Sequence, residues 1–200
     1  MLLDIDVHQY RHPTHPVRPW IVERWSPRAM SGEALSAEEI GSLFEAARWA
    51  PSAGNSQPWR FLYGTRTGPH WQTFLDLLVE GNRRWAQQAA LLAVVTSRSV
   101  SERTGKPDPT HAYSSGAAWM GLALQAVSMG LVVHGMAGFD YDRARRDLAV
   151  PDDFAVLAML AVGRPGRVED LPPDLQEREK PSGRKELAEI AWEGEFQSRG

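Results

Sequence analysis

Arg24 and Arg28 stand four positions apart in Arg24-Trp-Ser-Pro-Arg28, with the Ser26 hydroxyl between them. Two guanidiniums and a hydroxyl at this spacing suit an anion such as phosphate. The planar guanidinium fork meets two oxygens at once, and the hydroxyl adds a further donor. A solvated basic loop is the plain alternative for so short a stretch. Arg184, in KPSGRKEL, is a third candidate, although a lone arginine in a charged tail is usually just solvated. The loop PSAGNSQPW, residues 51–59, is a different kind of signal. Ser52, Asn55 and Gln57 fit ordinary turn chemistry there. Its small residues would equally let a flat ligand approach the backbone, where bulky ones would clash. Gly135-Met-Ala-Gly138 reads as a turn with backbone N–H groups to spare.

The rest of the chain narrows the chemistry by exclusion. It has 200 residues and no cysteine, so thiolate nucleophiles, disulfides and zinc-thiolate sites are ruled out. There is no P-loop, G-x-G-x-x-G, G-x-S-x-G or H-E-x-x-H sequence. The formal net charge of −3 gives no electrostatic case for a nucleic-acid or anionic-membrane partner. No apolar run reaches membrane-spanning length and no signal-peptide pattern opens the chain, so a cytoplasmic protein is expected. His8, His12 and His15 could be drawn as a metal site, but only Asp4 and Asp6 offer acidic company, and a solvated or partner-wrapped arm is the better reading.

The elements that must position these residues follow from local patterns. Ser36-Ala-Glu-Glu39 is a capping box, and Ile40, Leu43, Phe44 and Ala47 continue it at helical spacing as far as Pro51. WRFLY, residues 59–63, reads as a strand, and His70 to Gly81 as one helix. AALLAVVT (89–96) and FAVLAMLAV (154–162) are short continuous apolar runs, the pattern of buried strands. His111 to Met129 is a long apolar helix, whose small residues Gly116, Ala117, Gly121 and Ala123 would let another helix come close. A short strand at 131–134 and a helix at 140–148 complete the set. The organisation expected is an irregular arm over residues 1–20 and one domain over 21–200, with an extended C-terminal tail that docks through Leu187, Ile190 and Trp192.

Taken together, the motifs resemble those of the FMN-dependent nitroreductase family. Residues 51–59 are similar to its P-S-S-x-N-x-Q-P-W segment, and Arg24-Trp-Ser-Pro-Arg28 to its R-x-S-x-R/K element. Gly81-Asn82 resembles its mid-chain asparagine, MAGFD (136–140) its P-x-x-G-F-D turn, AVGRP its G-x-P strand end, and SGRKEL its late arginine segment. The order matches over residues 24–190.

The resemblance implies an α+β, three-layer homodimer with a mainly antiparallel central sheet flanked by helices and with extended termini. It implies FMN as cofactor, held in sites at the subunit interface. Arg24 and Ser26 would hold the phosphate, with Arg184 closing from the tail. Arg28 would lie along the N1/O2 edge of the ring, and Asn82 would bond the pyrimidine edge. Pro51, Ser52, Ala53 and Asn55 would approach from the other subunit, with Gln57 in the same loop and Trp25 beside the phosphate arginine. Met136, Ala137 and Gly138 would offer backbone N–H near N5.

The activity implied is ping-pong transfer of electrons from NAD(P)H to a small acceptor such as a nitroaromatic or quinone. Another flavin reaction of the superfamily, or flavin binding without turnover, stays open. The sequence departs from the family at Ala137, where an acidic residue is common, at Trp85, where a basic one is, and at Glu186, where proline is.

Overall fold

The computed structural model describes residue 3 and residues 5–197. Residues 1, 2, 4 and 198–200 of the expected arm and tail, Asp4 among them, lie outside the described residues.

Ser36 opens the first long helix, α2 (Ala37–Arg48), through the expected reciprocal cap: its hydroxyl accepts from Glu39 N–H at 3.1 Å and Glu39 accepts from Ser36 N–H at 2.8 Å. A shorter helix, α1 (Pro19–Glu23), precedes it with proline in its first turn. Four strands follow: β1 (Trp59–Thr65), β2 (Leu91–Arg98), β3 (Val132–Met136) and β4 (Phe154–Gly163). They pair in the order β1-β2-β4-β3, antiparallel throughout. The register slips once, between Val95 and Thr96.

The two continuous apolar runs are explained by what covers them. Along β2, Leu91, Ala93 and Val95 pack with Leu43 and Ala47 of α2 and with Ala118 and Leu122 of α5 (His111–Ser128). Leu92 and Val94 point the other way, into a core shared with α3 (Trp71–Leu77), α4 (Glu80–Ala86) and α6 (Tyr141–Asp147). Both faces of β2 are therefore covered, so Leu91 to Val95 run apolar without alternation even though the pairing is antiparallel. The result is the expected three-layer α+β fold, helices on each side of a central sheet.

The single helix expected over 70–81 is instead two, α3 and α4. At the break Leu78 forms a β-bridge with Phe139, Val79 N–H donates to Gly138 O at 3.2 Å, and Asp140 N–H donates to Leu77 O at 2.9 Å. Periodicity favoured one helix; backbone pairing with a loop 60 residues downstream interrupts it.

The small residues of α5 divide between two tasks. Gly121 lets α2 approach, since a Cβ there would sit 2.9 Å from Ala46 O. Gly116 faces open space, alongside exposed Tyr113 and Met120. This outer face of α5 carries no charged side chain. Among the described residues no helix is long and apolar enough to cross a membrane.

The arm and tail lie against each other, with Arg11 donating to Ser182 O at 2.9 Å. The tail docks earlier than expected. Leu171 and Leu175, the latter on α7 (Pro173–Gln176), are buried together with Glu179, whereas Leu187 and Ile190 remain exposed.

Candidate functional site

The segment leaving α1 turns from extended backbone at Arg24 toward a bridge between Met30 and Pro165. It alternates inward and outward. Trp25, Pro27 and Ala29 are buried; Arg24, Ser26 and Arg28 are partly open. The two-residue spacing that suggested a phosphate cradle is thus the spacing of one face of an extended strand. Trp25 is 3% exposed and serves as the anchor of that face rather than as part of an open surface.

Arg24 and Ser26 line a cleft of about 470 Å³ that also takes in Ile21, Trp119, Gly135 and Arg184. The Arg24 Nη1 donates to Ser26 Oγ at 3.3 Å. Arg184 arrives from the tail, its Nη1 tied to its own turn through Gly183 O at 2.7 Å and Ser182 Oγ at 3.1 Å. Burial, followed by repulsion from Arg184, lowers the Arg24 pKa from its ordinary value. Among the described residues neither guanidinium has a carboxylate partner. Two cations and a hydroxyl around a cavity, with no internal counter-charge, are a site for an anion.

Arg28 is placed differently. Its Nη1 pairs with Glu179 Oε2 at 3.2 Å, and Glu179 Oε1 accepts from the Arg28 N–H and, at 2.9 Å, from Ala29 N–H. The Glu179 side chain is fully buried. Arg28 opens onto a second cavity, of about 340 Å³, beside Trp85, Arg84 and Arg167. His134 of β3 packs against the same segment. Its Nδ1 lies 3.1 Å from Pro27 O, and its ring packs on Trp85 with centroids 4.7 Å apart. Burial lowers the His134 pKa to about 4; bonds to the Pro27 and Ser26 carbonyls oppose this, and Arg28 and Arg24 add to it. His134 is a neutral ring at physiological pH, so it holds the arginine segment without adding charge.

The other expected residues fall into two groups. Asn82, on α4, donates through Nδ2 to Gly138 O at 3.0 Å, so it secures the 136–138 turn. A Cβ at position 138 would lie 2.7 Å from that amide, which is why glycine stands there. Met136 is buried and Ala137 is exposed at the turn's tip. The loop 51–57 does not border the Arg24 cleft of its own chain. It is exposed or half-exposed throughout, and Gly54, Asn55 and Gln57 have φ of +56°, +55° and +44°. Gln57 N–H donates to Ser52 Oγ at 3.0 Å and holds this shape. Asparagine tolerates this left-handed conformation, whereas at Gln57 it costs about 1–2 kcal/mol. The three arm histidines form no metal-binding group with other ligand residues, among the described residues.

Sequence reasoning missed Glu179, His134 and Arg11. Each acts through a chain-distant backbone carbonyl or N–H, and no local pattern marks that.

Comparison with known proteins places these features in a family. Residues 21–68 match the pattern of the nitroreductase family. A solved structure described as an oxidoreductase containing FMN superposes with a TM-score of 0.91 at 44% identity, covering 94% of this chain and 97% of that one. A Streptomyces coelicolor protein whose name joins NADH dehydrogenase and NAD(P)H nitroreductase is 30% identical over 148 residues, 63% of this chain and 71% of that protein. An uncharacterised 15.4 kDa Mycolicibacterium smegmatis protein is 32% identical over 146 residues, 68% of this chain and 97% of its own length.

Proposed function

This chain belongs to the nitroreductase family, and on that premise we propose that it is an FMN-dependent oxidoreductase, working as a homodimer, that moves electrons from NAD(P)H to a small organic acceptor such as a nitroaromatic or quinone. The observation that carries the reading is the cleft at Arg24, Ser26 and Arg184, cationic and, among the described residues, without a carboxylate paired to either arginine. It fits the phosphate of FMN, and the fit does not depend on the names of the relatives. Charge-assisted contacts of this kind are worth about 1.5–3 kcal/mol each, enough in combination to retain a cofactor.

When bound, FMN supplies the hydride and electron chemistry, which explains why no acid–base pair is needed among the side chains. The protein's part is to bind and orient. Arg24, Ser26 and Arg184 would hold the FMN phosphate. Arg28, fixed by Glu179 and opening onto the cavity beside Trp85, would lie along the pyrimidine edge, its net field there reduced by the carboxylate it carries. Asn82 secures the 136–138 turn through the Gly138 carbonyl, and that turn would offer backbone N–H to the ring. With Trp25 buried behind it, Arg24 keeps its direction.

The dimer is supported by two surfaces that a single chain leaves uncovered. One is the uncharged outer face of α5, with Met120 bordering the cleft itself. The other is the exposed loop containing Pro51, Ser52, Ala53, Asn55 and Gln57, which its own chain leaves open and which does not border its own cleft. Joined across a two-fold axis, the loop of one copy would close the cleft of the other. Donor and acceptor binding in turn at the same site would give ping-pong kinetics.

The test is the visible spectrum of the purified protein, followed by anaerobic addition of NADPH or NADH. A flavin band that bleaches on addition and returns with a nitroaromatic or quinone is expected. Protein that stays colourless with excess FMN would remove the proposal, and a bound flavin that stays yellow with both nucleotides would remove the electron donor from it.

A further inference from the structure

Arg11 lies in the arm, outside the segment that matches the family. Its guanidinium joins three stretches of chain. Nε donates to Ser182 O at 2.9 Å, and Nη1 donates to Val22 O at 2.7 Å and to Arg24 O at 2.9 Å. The arm is thereby tied both to the turn that carries Arg24 and to the tail that carries Arg184. Arm and tail enclose a third cavity, of about 430 Å³, lined by Tyr10, Arg11, His12 and Val22, which shares Ile21 and Arg184 with the Arg24 cleft.

The arrangement gathers like charges. Burial, then Arg184, then Arg24 lower the Arg11 pKa to about 10. Among the described residues none of the three arginines is paired with a carboxylate. The carbonyl bonds of Arg11 draw arm and tail together, while mutual repulsion of the guanidiniums opposes closure. A bound anion removes the opposition. If an anion favours closure, closure favours the anion by the same factor.

We infer that Arg11 is a positioning residue of the anion site: it ties arm and tail around Arg24 and Arg184, and a phosphate-bearing ligand tightens that tie by neutralising the three cations. The inference rests on the proposed FMN site for the identity of the ligand, but not for the coupling. An Arg11 that served only to satisfy carbonyls would hold the arm equally with and without an anion.

Hydrogen exchange of the full chain, read by mass spectrometry over residues 8–18 and 181–187, distinguishes the two. Samples carry saturating FMN, saturating riboflavin, or inorganic phosphate alone. FMN and inorganic phosphate are expected to slow exchange in both segments by about tenfold or more, and riboflavin is not. Flavin fluorescence titrations supply the second readout. Arg11→Gln should lower the ratio of FMN to riboflavin affinity by about tenfold, a loss typical of one charge-assisted contact. Arg11→Lys, which keeps the charge, should recover part of it.

Equal protection by riboflavin and FMN would overturn the inference, as would an unchanged affinity ratio in Arg11→Gln. If neither flavin binds, the proposed function fails and the phosphate sample alone decides the coupling: protection supports it, and no protection refutes it. Should Arg11→Gln not fold, the wild-type exchange data and Arg11→Lys still decide.

Discussion

Glu179 and Arg28 are 151 positions apart in sequence, yet the Glu179 carboxylate accepts from the Arg28 backbone N–H and pairs with its guanidinium at 3.2 Å. One oxygen also accepts from Ala29 N–H at 2.9 Å. A buried charge this well satisfied is costly to expose to imbalance. Removing it strands a guanidinium and two N–H groups at once.

Glu179→Ala should therefore destabilise the fold by about 3–5 kcal/mol, the range for breaking one side of a buried pair. Urea titration followed by tryptophan fluorescence checks it. A loss under 1 kcal/mol would mean that water replaces the carboxylate freely.

The same pair bears on the bound flavin. Arg28→Ala should lower the reduction potential, because a positive charge at the pyrimidine edge favours the reduced anion. Glu179→Gln should shift it upward, since the guanidinium then acts without its counter-charge. Dye-equilibration potentials of the two variants should move in opposite directions. Shifts of the same sign would remove Arg28 from the ring edge.

Arg24→Ala and Arg184→Ala should each weaken FMN retention about 10- to 100-fold, from the loss of one charge-assisted contact, and should leave riboflavin affinity little changed. Dialysed variants that keep the wild-type yellow colour would place the phosphate elsewhere.

His134 gives the molecule a pH dependence. Its folded pKa, about 4, lies below the ordinary value of 6.5. The unfolded chain takes up the proton first as pH falls, so the contribution of the neutral ring is complete above about pH 6.5 and is lost progressively toward pH 4. The full loss is on the order of 3 kcal/mol. Stability measured at pH 7, 5.5 and 4.5 should fall more steeply for wild type than for His134→Asn. Parallel curves would assign the acid sensitivity to carboxylates alone.

Gly116→Glu tests the dimer without touching the fold of one copy. A Cβ at this position meets nothing within 4 Å, and glycine in a helix interior is itself unfavourable. A single chain should accept the change or gain from it. In a dimer packed through α5 the same carboxylate is buried against a partner. Sedimentation should show monomers, with FMN affinity much reduced. A variant that remains dimeric with full flavin would move the interface to another face.

Some of this was legible in the chain itself. Ser36 and Glu39 are three residues apart, so the cap of α2 depends on nothing else. The apolar runs at 89–96 and 154–162 marked strands covered on both faces. Arg24, Ser26 and Arg184 stood out by residue type, and the nitroreductase resemblance grouped them; the structure brings the three to one cleft. Local rules act over one turn of helix or a few strand positions, and the cap and the apolar runs fall within that reach.

Tertiary structure alone decided the remainder. The helix expected over 70–81 divides because Val79 and Leu78 pair with Gly138 and Phe139, a demand no periodicity carries. Glu179 reads as one more acid in a charged tail until Leu175 is buried and draws it under Arg28 and Ala29. His134 becomes a neutral post because β3 sets it between Trp85 and the Pro27 carbonyl. Arg11 acquires a role only where arm and tail meet. Each is a contact between residues far apart in sequence, set by which backbone groups the fold leaves in need of a partner.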